Sequence, residues 1–504
     1  MTGGTIRNPD RLAAIVIAAF LVARLVFALL LGPGVDESYT LAIARTPALS
    51  YFDHPPLHQW IAHAAASAFG EGVGARLPFL ALFAVTGWIY YRMTADLFGP
   101  RAGIVAVFGL DAAPFFFASA GTWIVPDGPL LFGLAAAAWA LAKLFFGPGS
   151  GRATEWALWL AAGGALGLAG LSKYSAALAV VGVLAFVAIS PGRRRWFADP
   201  APYAAAALAL VMIAPVVVWN ARHGWASFGF QGARGAAGSG LKPAQVAAMA
   251  LGEVAYLSPW LAAPLGLGLI AAWRKRADER RLFLLCLALP PIVVFTLTPL
   301  WGARGLPHWA MPGWFFVFAL MGAWVEDAHV TDRALGRWGL ACAGALAAIA
   351  GLVAVEARTG WPLRLLAPGA ADPTLEALDW GALRDAPAMR PRPAFVLAQK
   401  WSDAGKIALA LGPETPVFVI SDDPRGWAFV AGESGLAGRD GVLATRAPDA
   451  AAAAARAAEI AGSLGPPQAF LLTRGGEPAI ALTLIPVHRL TRALPLPYPG
   501  APGG

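Results

Sequence analysis

Apolar runs long enough to cross a bilayer recur through the first 356 residues of this chain, and they restrict its architecture more than any other feature. A spanning helix needs about 20 mainly apolar residues for roughly 30 Å of hydrocarbon. About eleven such runs are present, near 12–32, 77–97, 102–119, 128–146, 155–171, 175–190, 201–219, 245–272, 282–300, 311–326 and 338–356. Helices alone satisfy every backbone polar group within one such segment. Only 13% of the 504 residues are charged and the mean hydropathy is +0.60, whereas a soluble chain carries roughly a quarter charged residues. The expected fold class is a polytopic α-helical membrane protein.

The net charge of +8 does not mark a nucleic-acid surface, because the basic residues punctuate the gaps between spans. Arg7 with Arg11, Arg92 with Arg101, Arg152, Arg193-Arg194-Arg195, Arg274 to Arg281 and Arg333 with Arg337 fall in every second gap. The positive-inside rule makes those gaps cytoplasmic. The alternate gaps then face outward, and an odd number of spans puts the C-terminal tail outside too. The first span is too long for a signal-peptide core and lacks a small-residue cleavage site, so it is expected to persist as an anchor. Cys286 and Cys342 both lie within apolar runs and read as packing residues, not as a disulfide or metal framework.

From about residue 357 the texture changes to Pro, Asp, Arg and Gly over about 150 residues, enough for a separate core. Residues 394–398 and 416–420 read as short buried strands, Trp401 to Leu411 as a helix, and Ala451 to Leu464 as an alanine-rich helix. The expected organisation is a membrane domain, 1–356, and an outer α/β domain, 357–504.

Irregular polar segments at a membrane face line cavities, so the outward gaps carry the functional information. The longest, 33–76, contains an apolar stretch, Leu57 to Phe69, too short to cross and expected to lie in the interface. The same gap holds the doublet Asp36-Glu37, which reads either as an acidic helix cap or as a site for something charged. On the outward face acids cluster early (Asp36, Glu37, Asp53, Asp127) and bases late (Lys173, Arg222, His223, Arg304, His308), with His54 and Tyr51 among the acids. That division suits a carboxylate that deprotonates an acceptor hydroxyl beside cations that hold a leaving phosphate. Lys173 sits in a short turn on the side where positive charge is disfavoured. Asp53, His54, His223 and His308 offer oxygen and nitrogen ligands to a divalent metal, without the ligand spacing of a recognised site.

Five motifs follow in order: Asp36-Glu37, Tyr-Phe-Asp-His-Pro-Pro-Leu at 51–57, Pro-Asp-Gly-Pro-Leu at 126–130, Leu-Ser-Lys-Tyr at 171–174 and Trp-Asn-Ala-Arg-His-Gly-Trp-Ala-Ser-Phe at 219–228. With them the chain resembles the bacterial protein O-mannosyltransferase and lipid A aminoarabinose transferase family of the GT-C glycosyltransferase superfamily, over roughly 12–326. In the tail, Trp401-Ser-Asp-Ala-Gly-Lys and Asp423-Pro-Arg-Gly are similar to the outer domain of the aminoarabinose branch.

The resemblance implies an inverting transferase that takes a sugar from a polyprenyl-phosphate carrier to a hydroxyl or phosphate acceptor on the periplasmic face of a bacterial inner membrane. It implies Asp36 as general base, Glu37 in support and Asp127 as second acid. His54 stands where aminoarabinose transferases carry a lysine, so Lys173 and Arg304 are expected to take more of the donor phosphate. Tyr51, Asp53, Arg222, His223 and His308 are expected to contact substrate. The rival class is a transporter or lipid flippase of envelope glycolipids, which would place ionisable groups near the bilayer midplane on paired broken helices.

Overall fold

The computed structural model describes residues 8–149, 151–235, 240–303, 305–367, 369–430 and 435–498. All eleven apolar runs are helical. Among the described residues, six stretches are long and apolar enough to span alone: Pro9–Leu30, Val73–Phe98, Asp127–Phe146, Pro200–Arg222, Glu279–Trp301 and Asp332–Thr359. Three bent helix pairs are long and apolar enough when taken together, Pro100–Ala112 with Phe115–Thr122 (82°), Tyr174–Ile189 with Pro191–Phe197 (118°) and Pro243–Leu257 with Pro259–Arg274 (107°). The expected single run 245–272 is therefore two helices, broken at Ser258, whose φ is +73° and whose neighbour is Pro259. Proline cannot donate into the ladder, and the residue before it is steered away from helical backbone. The remaining two runs are the helices Arg152–Gly170 and Met311–Asp327. Lipid-facing side chains such as Val22, Leu184, Val211, Leu251 and Leu340 are exposed, as a hydrocarbon solvent allows.

The chain divides into two compact units. One comprises Met1–Val26, Phe79–Val218 and Phe228–Ala348; the other comprises Phe27–Pro78, Trp219–Ser227 and Ile349–Gly504. The long gap 33–76 thus belongs to the same compact unit as the tail.

Within the first unit, Arg24 and Asp111 form a buried ion pair at 2.7 Å. Arg24 also donates to the carbonyls of Phe116 and Phe117, and its guanidinium lies 4.5 Å from the Phe83 ring centre. Nothing local to either segment pairs these two; the carbonyls of Phe116 and Phe117 fall in the last turns before the helix ends at Thr122, where they lack intrahelical donors and need others inside the membrane. Glu253 is also buried, where it accepts from the Thr296 hydroxyl and the Trp314 indole. The charges are consequently not confined to the gaps between spans.

The second unit is built on a six-stranded sheet: β1 Val396–Ala398, β2 Val417–Val419, β3 Gly441–Arg446, β4 Ala461–Leu464, β5 Gln468–Arg474 and β6 Glu477–Leu490. The order is β2-β1-β3-β6-β4, with β5 also paired to the long β6 as a hairpin. β1 runs parallel to β2 and β3, and β6 runs antiparallel to β3, β4 and β5. Alternation along β1 and β2 divides two cores. Val396, Ala398, Val417 and Val419 pack with the Trp401–Leu411 helix and with Tyr39, Ala42 and Ile43. Phe395, Leu397, Phe418 and Ile420 pack with Ala453 and Ala457. The expected strands and the Trp401–Leu411 helix are present. The alanine-rich helix stops at Ala458, and residues 461–464, expected to continue it, form β4. Pairing to the long β6 overrides alanine's local preference there.

Candidate functional site

Asp36 and Glu37 lie in the first turn of the helix Val35–Ala44, which follows Pro33 and an extended Gly34. Carboxylates in a first turn are stabilised by the helix dipole. Their environments are opposite. Asp36 is exposed, whereas Glu37 is buried. Glu37 receives the Gly34 amide at 2.9 Å and a bidentate fork from Arg76, with Nε at 2.7 Å and Nη2 at 2.5 Å. Arg76 gives its remaining hydrogens to the carbonyls of Ala28, Leu31 and Gly32. All five guanidinium donors are thereby used, and Arg76 ties the end of the Pro9–Leu30 helix to the start of the Val35–Ala44 helix. Sequence reading passed over Arg76 because its partners come from residues 28–37 and meet it only in the fold; the signal that could have found it is a positive charge in a gap where positive charge is disfavoured.

Asp53 is buried and accepts a hydrogen bond from the Tyr39 hydroxyl. That hydroxyl receives the Gly426 amide at 2.9 Å, and Arg425 Nη1 lies 3.8 Å from Asp53 Oδ1. Burial pushes the Asp53 carboxyl up to about 6, with Arg425 and Tyr39 opposing and the Asp423 and Asp36 carboxylates adding to the rise. Tyr51 is buried, takes the Ala48 amide on its hydroxyl and donates to the Thr46 carbonyl. It fixes the turn before the 51–57 motif. His54 is half-buried with its ring 5.7 Å from that of His58. His58 lies on the helix Leu57–Phe69, which has the bounds expected from the sequence. His223 stacks on Trp219 at 4.2 Å and bonds through Nδ1 to the Trp219 carbonyl at 2.7 Å. Arg222 is exposed at the end of the Pro200–Arg222 helix.

The first unit holds the other set. Asp127 begins the helix Asp127–Phe146 and receives Lys173 Nζ at 2.8 Å, so the structure joins two residues that the sequence left 46 positions apart. Both side chains are largely buried, at 7% and 11% exposure. His308 is half-buried beside two aromatic neighbours, Phe115 and Tyr256. Burial lowers its imidazole to about 4, with Lys173 adding to the fall and Asp127 opposing it. His308 is a neutral ring at physiological pH. Arg304 lies outside the described residues. Among the described residues, no three His, Cys, Asp or Glu side chains converge as a metal-ligand set. Cys286 and Cys342 are free and buried.

The described geometry can be set beside known proteins. Residues 53–219 match the model of the dolichyl-phosphate-mannose-protein mannosyltransferase family, a window that includes Asp53, His54, Asp127 and Lys173. The fold is similar to two crystal structures of ArnT from Cupriavidus metallidurans. One is bound to undecaprenyl phosphate, with 15% identity, 93% of this chain and 97% of that chain covered and a TM-score of 0.63. The other is in the apo state, with the same identity and coverage and a TM-score of 0.64. No curated protein sequence matches the chain. The fold is that of a multi-pass membrane protein similar to ArnT. The matched window and the fold accord with the family resemblance that the ordered motifs carry.

Proposed function

We propose that this protein is an inverting glycosyltransferase that moves a sugar from a polyprenyl-phosphate carrier to a hydroxyl or phosphate acceptor at the periplasmic face of a bacterial inner membrane. The observation that carries the reading is the contrast within one helical turn: Asp36 is exposed on a mount made rigid by the buried Glu37–Arg76 fork. A base must reach substrate, and a preorganised one needs a neighbour that does not move.

With a hydroxyl acceptor, Asp36 takes the proton as the acceptor oxygen bonds to the anomeric carbon. The bond from that carbon to the carrier phosphate breaks, and the lipid phosphate leaves with its electron pair. Lys173 meets the developing charge on the phosphate, with Arg304 and His54 as further cationic or donor groups. Asp127 holds the Lys173 ammonium in place. One displacement inverts the anomeric centre, and no sugar-enzyme intermediate forms. Tyr51 and Glu37 serve by holding backbone, and Asp53, Arg222, His223 and His308 are the groups offered to the substrates. The alternating basic gaps support an outward-facing Asp36 and tail.

The buried Arg24–Asp111 pair and the bent spans are features that a transporter would share. Here the pair is sealed and bonds the broken backbone beside it. The deciding experiment is mass spectrometry of envelope glycolipids and glycoproteins from cells lacking the chain, complemented with wild type or Asp36→Asn. Loss of one sugar-sized mass that only wild type restores is the expected result. Full complementation by Asp36→Asn would remove the base and favour transport.

A further inference from the structure

The two tail motifs, Trp401-Ser-Asp-Ala-Gly-Lys and Asp423-Pro-Arg-Gly, have no part in the chemistry above, yet both converge on the helix that carries Asp36. Lys406 is buried, and its ammonium donates to the carbonyl of Pro33, three residues before Asp36, and to that of Leu378 at 3.0 Å. Gly405 lies against the same helix so closely that a Cβ there would stand 2.6 Å from the Tyr39 nitrogen. Trp401 meets the Tyr39 ring edge-on at 5.2 Å, and the Arg425 guanidinium covers Trp401 at 4.0 Å. From the second motif, the Gly426 amide bonds the Tyr39 hydroxyl. Lysine is almost never fully buried without partners, and an ammonium spent on two backbone carbonyls has a holding task.

We infer that Lys406 is a positioning residue for Asp36: by gripping the Pro33 carbonyl it sets where the Val35–Ala44 helix begins and so where the base points. The inference rests on Asp36 being the base. Burial brings Lys406 down to about 8, with Arg76 adding to the fall and the carboxylates Glu37, Asp379 and Glu376, which face the ammonium, opposing it. The grip therefore weakens as pH rises through about 8.

Two readouts test this. In cells lacking the chain, Lys406→Met slows the appearance of the transferred sugar by something on the order of 10²-fold, the cost of a small misplacement, and Lys406→Arg restores most of it. In purified full-length protein, hydrogen exchange corrected for intrinsic rate rises in residues 34–44 of Lys406→Met but not in 127–146. Wild-type protein loses protection in 34–44 as pH passes about 8, and Lys406→Arg does not; this arm decides if Lys406→Met fails to accumulate. Wild-type transfer by Lys406→Met, or unchanged exchange in 34–44, overturns the positioning role while leaving the base in place. Full complementation by Asp36→Asn instead removes the base reading and this inference with it.

Discussion

The acid–cation pairs Glu37–Arg76 and Asp127–Lys173 are built from similar charges and differ in how completely they are closed. Arg76 is fully buried and spends every donor on one carboxylate and three carbonyls. Lys173, among the described residues, makes one side-chain hydrogen bond, to Asp127, from an ammonium with three hydrogens. A planar fork suits a fixed joint, and a compact ammonium with donors to spare suits a ligand that comes and goes. The first pair is a mount and the second a binding element.

The sharpest way to break this contrast is Arg76→Ala. It leaves the Glu37 carboxylate buried without its partner, which costs about 3–5 kcal/mol. Thermal unfolding in detergent should fall steeply, and Arg76→Lys should recover only part of the loss. An unshifted transition would show that the fork is not a mount.

Lys173→Gln should do the reverse. The transfer rate drops on the order of 10²–10³-fold, the cost of losing a preorganised donor to developing charge. Stability falls by only about 1.5–3 kcal/mol, the worth of one charge-assisted hydrogen bond. If melting falls as far as in Arg76→Ala, both pairs are structural and the distinction fails.

A smaller effect probes the packing behind the mount. Gly405→Ala drives a methyl into Tyr39 backbone and should cost about 1–3 kcal/mol, as overpacking does. Gly266→Ala is the control, since nothing lies within 4 Å of a Cβ there and no loss is expected.

The smallest effect is in pH. The Asp53 carboxyl takes its proton more readily in the folded chain, at about 6, than at its ordinary value of 3.8. Its contribution to stability is therefore full below about pH 4 and is lost as pH rises through about 6. Melting curves between pH 4.5 and 7 should show this slope, and Asp53→Asn should flatten it. An equal slope in the variant assigns the titration elsewhere.

Much of the membrane domain was legible because hydrocarbon imposes a length and a composition that any sequence shows. The Leu57–Phe69 helix and the first two strands were legible for the same kind of reason, a short apolar pattern with clear ends. β4 was not, because its strand state depends on pairing with β6 from Ala461 to Leu490. The candidate acids were legible as residue types out of place. Arg76, Arg425 and Lys406 were not, because an arginine or lysine declares its partner only when backbone carbonyls and carboxylates from distant segments arrive beside it.

Sequence alone determined that this chain lives in a bilayer, where its basic gaps lie and that a carboxylate doublet follows the first span, because solvent and charge act on each segment separately. Tertiary structure decided which of two adjacent acids is exposed and which is locked. Asp36 and Glu37 differ by one methylene and one position, and a rotation of about 100° along a helix carries one toward solvent and the other onto Arg76.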